Sequence, residues 1–173
     1  MSTPRFTRLA RRLPSGSRAD HRPGSLSPVA DQTESSIVID AAPEAVMAVI
    51  ADVAAYPQWS DGITAVEVLA RGKDGRPASA RFHLSSGPIK DTYELDYVWS
   101  GDETVRWTLS SGDMLTMMDG AYTLADNGDG STTVGYRLAV DVKIPMIGML
   151  KRKAEKVIVD TALKGLRKRV ESA

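Results

Sequence analysis

The feature that most constrains the fold is the alternation of apolar and polar residues through the middle of the chain. Between residues 63 and 142, six segments alternate with a period of two and end at turns rich in glycine and aspartate. This spacing is typical of antiparallel strands joined by hairpins. A seventh β-branched segment, residues 35–40, precedes them. The segment over residues 114–124 alternates least cleanly, so its register stays open, and we expect a bulge at Asp119 and Gly120.

Alternation also separates the two faces of this predicted sheet. One face is apolar and collects six of the eight tyrosines and tryptophans. The other carries Arg81 and His83, then Glu94 and Asp96, then Arg106, as cross-strand ion pairs would require. One dry and one wet face indicate an open sheet covered by helices on its apolar side. The apolar set comprises Phe82, Leu84, Tyr93, Leu95, Tyr97, Trp99, Val105, Trp107, Leu109, Tyr122, Leu124, Val134, Tyr136, Leu138 and Val140.

The last part of the chain, about residues 145–170, has the period of a helix. Apolar and small residues recur at steps of three and four, which places them along one side of a helix. Lysine and arginine occupy most of the other positions. A lone helix of this length is only marginally stable in water, so we expect its apolar side to pack on the sheet. That side comprises Leu150, Ala154, Val157, Ile158, Thr161, Gly165 and Leu166.

An earlier helix is predicted between the first strand and the six later ones. Pro43 and Glu44 favour the first turn of a helix, and the following residues to about 53 are mostly apolar. The sequence YPQW follows at residues 56–59. Because a residue that precedes proline avoids the α region, we expect a short turn or one-turn helix at Tyr56.

Composition limits the classes of function. Apolar residues make up 42% of the 173 residues, which is enough for the core of one domain. The absence of cysteine excludes disulfides and thiol catalysis. The only histidines are His21 and His83, no pair has the spacing of metal ligands, and no glycine-rich loop has the pattern of a phosphate site. We therefore expect neither a metal nor a cofactor.

Charge is distributed unevenly, although the net charge is zero. Residues 1–30 contain six arginines and one acid, whereas residues 151–173 contain eight basic and three acidic side chains. Four prolines and few apolar residues predict that residues 1–34 form a disordered basic tail before a domain at residues 35–173. The tail lacks the apolar core of a secretory signal, so we expect a cytoplasmic protein.

The order of elements, together with APEAVMAVIADVAAYPQWSDGITAVEVL at residues 42–69, resembles the polyketide cyclase/dehydrase branch of the START-like superfamily, also called SRPBCC or Bet v 1-like. The sequence GAYTL at residues 120–124 and the basic last helix agree with it. The resemblance spans about residues 35–172 and implies an α+β helix-grip fold. Such a fold wraps a curved antiparallel sheet of seven strands on a long C-terminal helix, in the order strand, helix, short helix, six strands, helix. Members bind lipids, sterols, polyketides or quinones, and some fold polyketide chains.

The apolar face of the predicted sheet is long and carries tyrosine hydroxyls that need hydrogen-bond partners. A ligand or trapped water can supply them, so we expect a cavity between the sheet and the last helix. The alternative, that tyrosine and methionine fill a solid core, stays open. The residues expected to line the cavity are Trp59, Phe82, Leu84, Tyr93, Leu95, Trp107, Leu109, Met117, Tyr122, Tyr136, Leu150, Ala154, Val157 and Ile158.

We therefore expect a protein that binds a hydrophobic small molecule, such as a lipid, polyketide or quinone-like compound, as a carrier or sequestering protein. One alternative is a cyclase, aromatase or dehydrase in the same pocket, with Tyr93, Tyr122 or Tyr136 as proton donor, although no catalytic motif identifies it. A second is an interaction protein that docks through its basic helix or tail, with weak contact to a membrane surface favoured over nucleic acid. A monomer and a homodimer are both compatible with the sequence.

Overall fold

The computed structural model describes residues 32–87, 89–145 and 148–173, so most of the expected tail lies outside the described residues. The first strand begins at Thr33, two residues before its expected start. The elements follow in the predicted order of strand, helix, short helix, six strands and helix. They are β1 (Thr33–Ile39), α1 (Pro43–Ala51), a 3₁₀ helix (Val53–Gln58), β2 (Ile63–Arg71), β3 (Pro77–Ser86), β4 (Ile89–Ser100), β5 (Thr104–Gly112), β6 (Leu115–Asp126), β7 (Thr132–Val142) and α2 (Gly148–Glu171).

The strands form one antiparallel sheet in the order β1-β7-β6-β5-β4-β3-β2. Strands β2 to β7 are a meander, and β1 pairs with β7 across the length of the chain. This arrangement, with the long C-terminal helix α2, confirms the predicted α+β helix-grip fold.

The two faces of the sheet are those that the alternation predicts. The residues predicted for the apolar face of β3 to β7 are buried or half-buried and form one core with α1 and α2. On the other face, Arg81 pairs with Glu94 at 2.8 Å and with Glu67 at 2.9 Å. Arg137 lies 3.8 Å from Asp119 in the same way.

The prediction of a bulge at Asp119 and Gly120 of β6 is wrong in its position. Residues 119–120 pair with β7 without interruption, and the register shifts instead between Leu115 and Met117. Beside this shift, the buried carboxylate of Asp91 on β4 accepts hydrogen bonds from the backbone N–H groups of residues 113–115 at 2.8 to 3.1 Å. These bonds hold the β5–β6 turn and the first residue of β6 in place.

α2 packs against β1, β7 and α1, but by a different side from the expected one. Leu150, Val157 and Ile158 are 53%, 59% and 46% exposed, so their predicted contact with the sheet is wrong. Only Leu166 of the predicted side is fully buried. The buried side comprises Glu155, Val159, Leu163, Leu166 and Val170.

A buried carboxylate explains this rotation of α2. Glu155 is 1% exposed, and its two oxygens accept hydrogen bonds from the backbone N–H of Val140 and the hydroxyl of Thr33, both at 2.9 Å. A pattern based on apolar residues assigns glutamate to the solvent side. Here the glutamate lies against the sheet, and the apolar residues two and three positions later turn outward.

Candidate ligand-binding interior

The apolar face of the sheet carries a row of aromatic rings in two contacting groups, one around Phe82 and Tyr93 and one around Trp107. Phe82 lies opposite Tyr93 in the β3–β4 register, and the two rings stack with 5.3 Å between centroids. The ring of Trp107 lies 5.4 Å from that of Tyr122 and 5.5 Å from that of Tyr136. Strand pairing therefore brings together side chains that are far apart in sequence. In order across the sheet, the row is Phe82, Tyr93, Tyr97, Trp107, Tyr122 and Tyr136.

Trp107 can lie close to the backbone of β6 because the residue opposite it is a glycine. Gly120 pairs with Trp107 in the β5–β6 register. A Cβ atom at Gly120 would lie 2.2 Å from two ring carbons of the indole, a distance that no real contact reaches. The glycine thus sets the position of the indole in the aromatic row.

Four tyrosine hydroxyls in this interior have no hydrogen-bond partner among the described residues. They belong to Tyr93, Tyr97, Tyr122 and Tyr136, which pack in or against the apolar core. The fifth tyrosine differs, since the hydroxyl of Tyr56 donates to the carbonyl oxygen of Ile50 at 2.8 Å. A buried hydroxyl without a partner is costly, so this set of four is unusual for a solid core.

These hydroxyls are close to the centre of the molecule, yet they are not sealed off. Tyr93, Tyr122 and Tyr136 keep 6 to 7% of their surface exposed, while Val105 and Val134 on the same face keep none. Among the described residues, two fully enclosed side-chain polar atoms lack a hydrogen-bond partner: the indole nitrogen of Trp59 and the Nε of Arg137. No phenol oxygen of the described residues belongs to this set. Each phenol oxygen therefore borders space that a water molecule can enter.

Burial fixes the protonation state of these phenols. It raises the pKa of Tyr97, Tyr122 and Tyr136 well above the ordinary 10.0, and also raises that of Tyr93, because a phenolate would lose its hydration. Electrostatic repulsion between phenolates is a smaller cause. It raises the pKa of Tyr97 and Tyr136 because both lie near Tyr93 and Tyr122. At neutral pH all four hydroxyls are neutral and able to donate.

Helices cover the edges of the sheet more than its middle. α2 packs against β1 and β7, and the 3₁₀ helix packs against β2 at the other edge. α1 packs against α2 and β6. The aromatic side chains of β3 to β5 lie between these contacts.

Most of the residues predicted to line the cavity lie in or against the core, and the others lie outside it. Trp59, Leu84 and Leu109 are half-buried against the core that holds the aromatic row and Leu95. Ala154 and Met117 are half-buried outside that core, whereas Leu150, Val157 and Ile158 are exposed. Whether any of these residues contacts a ligand stays a prediction. Sequence reasoning omitted Tyr97 from this set, although its two-residue spacing from Leu95 places it in the row.

Trp59 closes one end of the interior beside the last helix. Its ring lies 4.8 Å from that of Tyr56 in an edge-to-face arrangement. A Cβ atom at Gly165 of α2 would meet the backbone oxygen of Trp59 at 3.1 Å, so the glycine permits the close approach of helix and loop. The indole Nε1 is fully enclosed and has no partner among the described residues.

Two surface clefts lie away from the aromatic row. One of about 340 Å³ lies between the end of α1 and the β2–β3 hairpin, and one of about 160 Å³ lies between α1 and Arg169 of α2. His83 is on the wet face, where its Nδ1 is 3.2 Å from the hydroxyl of Thr92. In the described part of the chain, no group of acidic and histidine side chains could hold a metal, and no helix has the length and hydropathy of a membrane span.

Comparison with known proteins agrees with the fold. A family model described as "Polyketide cyclase / dehydrase and lipid transport" matches residues 31–171. A START superfamily protein from Mycobacterium smegmatis superposes with a TM-score of 0.76 at 25% identity, over 82% of this chain and 97% of that one. A Thermus thermophilus protein superposes with a TM-score of 0.69 at 23% identity, over 82% of this chain and 98% of that one. The Zhui aromatase/cyclase from a Streptomyces strain superposes with a TM-score of 0.68 at 14% identity, over 82% of this chain and 93% of that one. No curated protein sequence matches significantly.

Proposed function

Because this chain belongs to the polyketide cyclase / dehydrase and lipid transport family, we propose that its interior binds an apolar small molecule that carries hydrogen-bond-accepting oxygens. A quinone-like compound, a polyketide or a lipid with carbonyl groups has this chemistry. The protein acts as a carrier or sequestering protein for that molecule. The observation that supports the proposal is the set of four interior phenol hydroxyls without protein partners.

The energetics of these hydroxyls favour an oxygen-bearing ligand over a hydrocarbon. A buried donor that lacks an acceptor loses its hydration without compensation, at a cost of about 1–3 kcal/mol. A ligand carbonyl would accept from the phenols, and the rings of Phe82 and Trp107 would stack on a flat ligand. A saturated hydrocarbon would bury the same rings and leave the hydroxyls unpaired.

The same residues favour binding over turnover. Raised pKa values make the phenols weaker acids than free tyrosine, so they donate hydrogen bonds and retain their protons. The carboxylate of Asp91, which is near Tyr93, already accepts hydrogen bonds from three backbone N–H groups. Neutral donors of this kind are suited to orienting a carbonyl compound.

Binding can be tested on the full chain by native mass spectrometry. Protein is measured as purified, again after extraction with organic solvent, and again after addition of naphthoquinone. We expect a bound molecule that extraction removes, or an empty protein that takes up one naphthoquinone. A protein that is empty at every stage, with no uptake at any quinone concentration, would contradict the proposed function.

A further inference from the structure

One end of the sheet brings together parts of the chain that are distant in sequence. The β3–β4 and β5–β6 hairpins close at this end, and here β7 finishes and α2 begins. The backbone N–H of Lys143 donates to the carbonyl oxygen of Met114 at 2.9 Å, which joins the end of β7 to the β5–β6 turn. Asp91, at the start of β4, binds the same turn. We term this region the α2 end.

Large apolar side chains are exposed at the α2 end. Ile89 is 54% exposed, Ile144 is 60%, Met149 is 82% and Leu150 is 53%. Single exposed apolar residues are ordinary on protein surfaces. Ile144, Met149 and Leu150 lie within seven positions of the chain where α2 begins, and large apolar side chains exposed together are costly to leave in water.

Basic residues surround this apolar group. The exposed acids at this end include Asp61, Asp113 and Asp141, and Asp141 pairs with Lys151. The opposite end of the sheet, where the other three hairpins close, carries acidic side chains at residues 74, 102, 103, 126 and 129. That end also carries Arg71, Lys73 and Arg76, so acids outnumber bases there by five to three, whereas bases outnumber exposed acids at the α2 end. The basic residues of the α2 end are Lys90, Lys143, Lys151, Arg152 and Lys153.

We propose that the α2 end docks on a membrane surface that contains anionic lipids. Aliphatic side chains ringed by lysine and arginine are the composition of an interfacial membrane site, where the apolar groups enter the boundary of the acyl chains and the cations meet phosphate groups. A protein partner fits less well because protein interfaces are depleted in lysine. RNA also fits less well because Ile144, Met149 and Leu150 offer no ring for base stacking.

The test is flotation of the full chain with vesicles of phosphatidylcholine alone or mixed with phosphatidylserine. The apolar variant is Ile144→Gln with Met149→Gln, and its matched control is Val98→Gln, a comparably exposed position on the outer face of β4. The charge variant is Lys143→Glu with Lys153→Glu, and its matched control is Lys73→Glu in a hairpin at the opposite end. Circular dichroism and thermal melting establish that each variant is folded.

We expect the wild type and both controls to bind phosphatidylserine vesicles, with weaker binding to phosphatidylcholine and at high salt. The apolar variant should lose about tenfold in vesicle affinity. The charge variant should lose about fivefold or more for each reversed residue. No binding by the wild type would overturn the proposal. Wild-type affinity in both variants would also overturn it, because binding would then be assigned to the basic N-terminal segment. A dimer in free solution that Met149→Gln dissociates would overturn it as well. Quinone binding in these variants should be unchanged, so this test is independent of the proposed function.

Discussion

The carboxylate of Glu155 accepts a hydrogen bond from the backbone N–H of Val140 at 2.9 Å, and this bond joins α2 to β7. β1 pairs with β7 only as far as Leu138, opposite Thr33. Beyond that point, the carboxylate of Glu155 accepts the hydrogen bond from the N–H of Val140 that a residue of a neighbouring strand would otherwise accept. The rotation of α2 on the sheet follows from this contact.

Replacing Glu155 with alanine should lower the free energy of unfolding by about 1–3 kcal/mol, because it leaves a buried N–H and the hydroxyl of Thr33 without an acceptor. Glu155→Gln retains one carbonyl oxygen and should lose less than half as much. Urea unfolding of both variants measures the difference. The control is Glu34→Ala, an exposed position on β1. Equal stability of the alanine and wild-type proteins would show that the contact does not position the helix.

The side of α2 that faces the sheet can be tested with two neighbouring valines. Val159 is fully buried, whereas Val157 is largely exposed. Val159→Asp should unfold the domain, because burying an unpaired charge costs several kcal/mol, which is comparable with the stability of a domain. Val157→Asp should change stability by about 0.5 kcal/mol or less. Thermal melting distinguishes them, and equal melting temperatures would refute the observed rotation.

Gly120→Ala should destabilise the protein by about 1–3 kcal/mol, because the new Cβ atom would overlap the indole of Trp107. Gly148→Ala is the matched control, since the nearest atom to its Cβ position is 3.9 Å away. In a Trp107→Leu background the cost of Gly120→Ala should fall, and a double-mutant cycle measures this coupling. Equal costs in both backgrounds would mean that the glycine does not accommodate the ring.

Alkaline pH should destabilise the fold. The pKa values of the interior tyrosines are raised in the folded protein relative to 10.0 in the unfolded chain, so the folded state holds these protons more tightly. Their contribution to stability is complete below pH 10.0 and is lost as the pH rises toward the folded-state values.

Ultraviolet absorbance of phenolate, followed with circular dichroism, checks this prediction. Phenolate should appear together with loss of structure. Tyr122→Phe should make the pH dependence of stability less steep. Ionisation of all five tyrosines near pH 10.0, with the fold intact, would contradict the burial of these groups.

The sheet could be predicted from the sequence because a period of two residues specifies which side chains share a face. That pattern also placed Tyr93, Trp107, Tyr122 and Tyr136 together on the dry side. The side of α2 could not be predicted in the same way. Its buried side includes Glu155, and the stabilising partners of that carboxylate lie 15 and 122 residues away in the chain.

The position of the β6 bulge was also beyond sequence reasoning. The carboxylate of Asp91 organises the turn before β6, and nothing in an aspartate at the start of a strand indicates that it will be buried and bound to three backbone N–H groups. The absence of partners for the phenol hydroxyls likewise depends on three-dimensional contacts, so the sequence left a cavity and a solid core as alternatives.

The most direct test of hydroxyl recognition compares naphthoquinone with naphthalene on three proteins by equilibrium dialysis. These are the wild type, the Tyr122→Phe and Tyr136→Phe double variant, and Tyr56→Phe, whose hydroxyl is already bonded to Ile50. The double variant should lose about three- to tenfold in naphthoquinone affinity for each hydroxyl removed and keep its affinity for naphthalene. Tyr56→Phe should bind both ligands like the wild type. Equal losses for the two ligands, or no loss of quinone affinity in the double variant, would contradict the central claim that interior phenols recognise the oxygens of the ligand.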